Sequence, residues 1–163
     1  MSFNSAILKK IITGLYHLWV APHDIDDQPE FKPKLRGQIS SRQIREILQE
    51  KFPGAAIFVS DKHKFLCDIS DINVFLEQDK TNHYTYEAEY LDCDDFTFML
   101  MGQFSKPGWA KLAKFIVWNY HHALMGFIDT NLDFWWVEPQ NDSVQSELNT
   151  SQGSASTTYL IVG

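Results

Sequence analysis

Apolar residues recur along this chain in two rhythms, and the rhythm changes near its middle. Ile7, Leu8, Ile11, Ile12, Leu15, Leu18 and Trp19 share one face at helical spacing and predict an amphipathic helix. Pro22 to Lys34 carries three prolines and predicts a loop. Its acids Asp24, Asp26 and Asp27 lack the alternating ligands and bounding glutamate of a calcium loop, so they form a solvated turn. Ser40 with Gln43 then makes a capping box that opens a second helix. Ile44, Ile47, Leu48 and Phe52 give that helix its buried face, and Pro53-Gly54 stops it. Ala55 to Val59 predicts a short buried strand, Asp61 to Lys64 a turn and Phe65 to Cys67 a return strand. A short helix follows from Ser70 or Asp71, with Ile72, Phe75 and Leu76 inward.

Strand patterning dominates the second half. His83 to Tyr90 reads as extended, its tyrosines as ordinary strand aromatics. Phe96, Met99 and Leu100 mark one more helix, and Ser105-Lys106-Pro107-Gly108 breaks the chain after it. Lys114 to Tyr120 predicts a strand. Ala123–Ile128 and Leu132–Glu138 predict a β-hairpin about Asp129-Thr130-Asn131, ended by Pro139. Asn141 to Thr158 is a long polar loop, and Tyr159 to Val162 returns as a last strand.

Composition narrows the classes. A chain of 163 residues forms one domain with a proper core. A net charge of −7 argues against a nucleic-acid binder, which needs a basic face. Two cysteines, Cys67 and Cys93, are too few for a disulfide framework. The run Lys9-Lys10 to Ala21 resembles a signal peptide only faintly, since Gly14 and His17 interrupt it, and it is too short to span a bilayer. We therefore expect a cytoplasmic protein with no membrane partner. Cys67 lies in an apolar run and reads as inert packing.

The chemistry gathers at Leu91-Asp92-Cys93-Asp94-Asp95-Phe96. Asp92 is an N-cap, which puts Cys93 in the first helical turn. There the helix dipole and free N–H groups favour a thiolate, the usual route to a nucleophilic cysteine. Asp94 and Asp95 oppose that ionisation by like-charge repulsion. Either they point away and serve the dipole, or they hold a hard cation.

The hairpin supplies a partner. With a three-residue loop, Ile128 pairs with Leu132, and counting outward sets His122 across from Glu138 with Cβ atoms about 5 Å apart. A two-residue loop would pair His121 with Glu138 instead. A carboxylate beside an imidazole orients the ring and raises its basicity. Ala123 leaves room beside His122 for a neighbouring helix, which favours His122. The chain thus offers nucleophile, base and orienter in that order.

Asp92-Cys93-Asp94-Asp95-Phe96, His122-Ala123 and Trp136-Val137-Glu138-Pro139-Gln140 resemble the papain-like cysteine peptidases. Within them they look most like the protease-like C-terminal domain of the Marasmius oreades agglutinin, a fungal lectin, and its bacterial and phage relatives. The resemblance runs from about Asp68 to Asp142, with the last strand. It implies Cys93, His122 (or His121) and Glu138 as catalytic residues, and calcium held by Asp94, Asp95 and Gln140. The lectin half of that family has no counterpart in this chain. No glutamine stands a turn or two before Cys93, where papain-like enzymes place an oxyanion donor; Tyr86 and Glu87 are there instead. The Cys93 N–H would be one donor, and the second is unassigned. The bacterial transglutaminase-like peptidases share the Cys-x-Asp-Phe helix start.

The expected fold is α+β, a papain-like domain over 1–163. It has a helical part over 1–60, a cysteine helix region over 84–104 and an antiparallel β-sheet over 114–163. The expected activity is a calcium-assisted cysteine peptidase or thiol acyl hydrolase acting on a peptide or protein. The competing expectations are a small phage or bacterial structural protein, or an inactivated protease-like binding module using Trp109, Trp118, Trp135 and Trp136.

Overall fold

The computed structural model describes residues 31–148 and 152–163. The amphipathic helix expected over Ile7–Trp19 and most of the following loop lie outside the described residues. Those that are described give an α+β fold in the order β1 (Gly37–Ser40), α1 (Ser41–Lys51), β2 (Ala56–Phe58), β3 (His63–Leu66), α2 (Ile69–Leu76), α3 (Cys93–Gln103), β4 (Lys114–Asn119), β5 (Ala123–Ile128), β6 (Phe134–Glu138), β7 (Ser143–Gln145) and β8 (Thr158–Val162). Among them, no helix is long and apolar enough to cross a membrane.

The main sheet runs β2-β8-β4-β5-β6-β7. Its centre carries almost no polar side chain, because both faces are covered. Alternate residues of β4, β5 and β6 feed two cores. Phe115, Val117, Leu124, Phe134 and Trp136 pack with Ile44, Leu48 and Phe52 of the α1 region. Met125, Phe127 and Val137 pack with Ile72 and Phe75 of α2 and Leu100 of α3. Every residue of β5 is buried for that reason. The Phe134 ring lies over Gly126 across the β5–β6 pair, where any side chain would collide with it.

Helix α1 starts where the capping box places it. Ser40 Oγ accepts from Gln43 N–H, and Gln43 Oε1 accepts from Ser40 N–H at 3.1 Å. Three pairings differ from expectation. The sheet is not wholly antiparallel, because β2 runs parallel to β8 at one edge. These two strands come from distant parts of the chain, so no turn between them forces a hairpin. The Phe65–Cys67 region does not return on β2. Strand β3 begins two residues earlier, at His63, and pairs antiparallel with β1 in a separate two-stranded sheet. The part over 31–60 is thus a helix between two strands rather than helical throughout. Finally, Tyr84 to Tyr90 is no strand. It makes tight turns closed by a Glu87–Leu91 bridge, with Glu89 at φ 62 and Tyr84, Tyr86 and Tyr90 exposed.

Candidate active site

Cys93 is the first residue of α3. Asp92 caps the helix, its Oδ1 accepting from Asp94 N–H at 3.4 Å, while Asp95 Oδ2 accepts from Asp92 N–H at 3.2 Å. This is a capping box built from two aspartates, and it ties Asp95 to the helix start. Phe96, Thr97 and Leu100 are buried below it and fix the helix on the sheet. The half-buried Cys93 sulfur meets the backbone N–H of Ala123, the first residue of β5. The next residue back along the chain is His122.

His122 Nε2 lies 2.6 Å from Glu138 Oε2. The contact arises differently from the expected route. The β5–β6 loop holds five residues, not three, and Ile128 pairs with Phe134. Asp129 builds that loop, accepting from Asn131 N–H, Asp133 N–H and Trp135 Nε1. The register is therefore displaced by two residues, which sets His122 diagonal to Glu138 rather than straight across. A shift of two keeps a side chain on its face, and diagonal neighbours remain within reach of long side chains. His121 is exposed, and the imidazole on Glu138 is that of His122.

Glu138 is buried and collects three donors. His122 and Gln152 Nε2 reach Oε2, the latter at 2.9 Å, and Gln140 N–H reaches Oε1 at 3.2 Å. Burial alone would raise its pKa, but the hydrogen bond and charge of His122, with Gln140 and Gln152, outweigh burial and hold the carboxyl below its ordinary value. Gln152 went unnoticed in the sequence, since it sits in a long polar loop rich in Ser, Thr, Asn and Gln, where no residue stands out.

The cysteine itself differs from expectation. Burial pushes the Cys93 thiol above its ordinary value, the Ala123 N–H pulls it back, and Asp92 and Asp94 push it up again. Burial is the largest of these, and the two carboxylates add to it against the N–H groups of Ala123 and Cys93.

The acids offer oxygen ligands, which suits a hard cation. Ligand atoms of Asp92, Cys93 and Asp94 lie within 4.8 Å of one another. A hydrogen bond with Asp92, then burial and the Asp92 charge, hold the Asp94 carboxyl above its usual range. Of the expected set, Asp94 sits in this cluster, whereas Asp95 is spent on the cap. Gln140 is placed beside Glu138 by its backbone N–H. Two residues on, Asp142 accepts from Asn82 Nδ2 at 2.6 Å, and the remaining side-chain oxygens, Asn82 Oδ1 and Asp142 Oδ1, are buried with no partner. Burial and the Asp79 charge push Asp142 up to about 6. These oxygen donors suit a hard cation, and Asp92 and Asp142 are acids the sequence did not nominate.

Of the tryptophans expected to serve a binding surface, Trp109 and Trp136 are fully buried and belong to the cores. Trp118 is half-buried against exposed Phe98 of α3.

The fold is thus an α+β sheet with helices on both faces, with the His122–Glu138 pair and the start of the Cys93 helix at one end. No family model and no curated protein matches the chain, but solved structures do. PSL1a in its complex with E64 superposes with a TM-score of 0.65 at 16% identity, over 77% of this chain and 51% of that one. Polyporus squamosus lectin bound to the human-type influenza-binding epitope Neu5Aca2-6Galb1-4GlcNAc gives 0.61 at 16% identity, over 77% of this chain and 49% of that one. The likeness is one of fold, and this chain spans about half the length of each.

Proposed function

We propose that this chain is a papain-like thiol hydrolase, a cysteine peptidase or related acyl hydrolase, assisted by calcium. On this reading the half it shares with the two lectin structures is a protease-like domain of the agglutinin type. The observation that supports it best is the 2.6 Å His122–Glu138 contact beside the N–H that meets the Cys93 sulfur. With Nε2 committed to Glu138, Nδ1 is the ring nitrogen left to serve the thiol. His122 takes the proton from Cys93 as the sulfur attacks the acyl carbon. The oxyanion collapses, the C–N bond breaks and His122 gives the proton to the leaving amine. Water, deprotonated by His122, then hydrolyses the thioester and restores the thiol. Glu138 fixes the tautomer and favours the imidazolium at each transfer. Bound calcium would supply positive charge beside Asp92 and Asp94, which offsets their opposition to the thiolate.

E64, an epoxide that alkylates activated thiols, gives a direct test. Rapid, single-site E64 labelling of Cys93 at neutral pH, faster in calcium than in chelator, is the expected result. Labelling that requires denaturation would overturn the reading. It would favour the inactive protease-like module, for which the raised Cys93 thiol is the supporting observation.

A further inference from the structure

Asn119 ends β4 and is 4% exposed, an unusual place for an amide unless every polar atom is used. Its Oδ1 accepts from His121 N–H at 2.8 Å and from His122 N–H at 2.9 Å. Its backbone N–H donates to His122 O at 3.0 Å. Two backbone donors on one atom fix which end of the amide is oxygen. The other end, Nδ2, donates to Gln152 O at 2.9 Å. Gln152 is held again through its side chain, with Oε1 accepting from Gln145 Nε2 of β7 at 2.8 Å. That leaves Nε2 aimed at Glu138 Oε2, the oxygen that His122 also uses. Gly153 makes the approach possible. Its φ is +102, and a Cβ there would lie 2.8 Å from the Asn119 amide atoms.

These contacts close a ring: Asn119 to the His122 backbone, His122 to Glu138, Glu138 to Gln152, and Gln152 back to Asn119. We infer that Asn119 and Gln152 are positioning residues for the His122–Glu138 pair. Asn119 fixes the turn that carries His122. Gln152, clamped on that same amide, supplies a donor that keeps the Glu138 carboxylate aimed at His122. Gln152 and Gly153 are then part of the wall of the site. The assignment rests on the proposed thiol hydrolase for its catalytic meaning, but the ring has a readout of its own.

That readout is the proton on His122 Nε2, followed by NMR during acidification. It reports the pair directly and disappears when Glu138 is protonated. His122 is the titratable group among those that hydrogen-bond Glu138; the Gln140 N–H and the Gln152 amide are neutral. Gln152→Met removes the donor at similar length. A lost hydrogen bond to a charged group should raise the midpoint by about one pH unit. Gln145→Ala, which only frees Gln152 to turn, should shift it the same way by less. Variants that melt like the parent yet keep its midpoint would overturn the clamp. A parent whose Cys93 resists alkylation, but whose midpoint still moves in Gln152→Met, would overturn the hydrolase and leave the clamp standing.

Discussion

The protein carries two cysteines at two helix starts, each beside an aspartate, and the structure gives them opposite surroundings. Cys67 precedes Asp68, the N-cap of α2, and so stands one residue outside the helix. It is 4% exposed, and burial, with Asp71, Asp68 and Asp129, pushes its thiol up to about 12. Cys93 follows its N-cap and stands inside the first turn of α3. It is only half-buried, and its own N–H and that of Ala123 work against the burial and the acids that raise it. One position relative to a cap decides whether a sulfur faces helix donors or hydrocarbon. Dipole arguments therefore need the cap residue named, not only the helix.

The sharpest way to break this comparison is competition between the two thiols. Thiolate is the reacting form, and the two environments differ in both ionisation and access. Iodoacetamide on the native protein at neutral pH should modify Cys93 faster than Cys67 by roughly a thousandfold or more. Peptide mapping reads the ratio, and denaturation should bring it near unity. Cys93→Ala should abolish native labelling and lower hydrolysis by about 10⁴-fold or more. Equal native rates at the two cysteines would remove the distinction.

The legible parts of this fold were those set by local rules. Ser40 and Gln43 announced α1, and Asp92 announced α3, because a cap is read from three or four adjacent residues. The β5–β6 pairing was legible in its face but not its register. Asp129 collects donors from Asn131 and Asp133 of the loop and from Trp135 of β6, and nothing in hydrophobic alternation counts loop length. The parallel edge β2–β8 was not legible, because residues 56–58 and 160–162 meet across most of the chain. Gln152 was invisible because it stands in a long polar loop whose composition singles out no residue. Asn119 did leave a trace, as an Asn just before a pair of histidines, where a side-chain oxygen can accept from the next N–H groups.

Glu138→Gln should cost less than loss of the sulfur. The amide keeps the length but not the charge that favours imidazolium, and roughly a hundredfold loss in hydrolysis is expected, mostly in kcat. The variant also tests a stability link. Because the folded protein holds the Glu138 carboxyl below its ordinary value, its contribution is full above the ordinary carboxylate range and is lost as pH falls through the lowered value. Parent and Glu138→Gln melts should therefore converge on acidification and separate at neutral pH. Parallel curves would mean that the pair adds no charge-dependent stability.

Asp142 has the opposite sign. Its folded pKa is raised to about 6, so without a cation the folded state loses stability as pH rises from the usual carboxylate range through about 6. Asp142→Asn should flatten that fall in chelator. If the orphaned oxygens of Asn82 and Asp142 face calcium, added calcium should raise the parent melting temperature near neutral pH, and Asp142→Asn should lose most of the rise. The same melt with Asp94→Asn tells whether the cluster at the cysteine shares the ion. No calcium effect in any of the three would mean that the acids titrate without a metal.

The smallest effect sharpens the comparison from its inert side. Cys67 packs among Ile72, Phe75, Leu112 and Phe127 in the core beneath α2 and α3. Cys67→Ala removes one buried sulfur and leaves a void too small to hold water. The expected cost is about 1 kcal/mol, by analogy with other small core truncations, and a melting temperature lower by a few degrees. Iodoacetamide labelling of Cys93 should keep its rate and pH profile, because no hydrogen bond of the His122–Glu138 ring involves Cys67. A change in Cys93 reactivity on Cys67→Ala would show that the core couples the two helix starts, and that their surroundings are not independent.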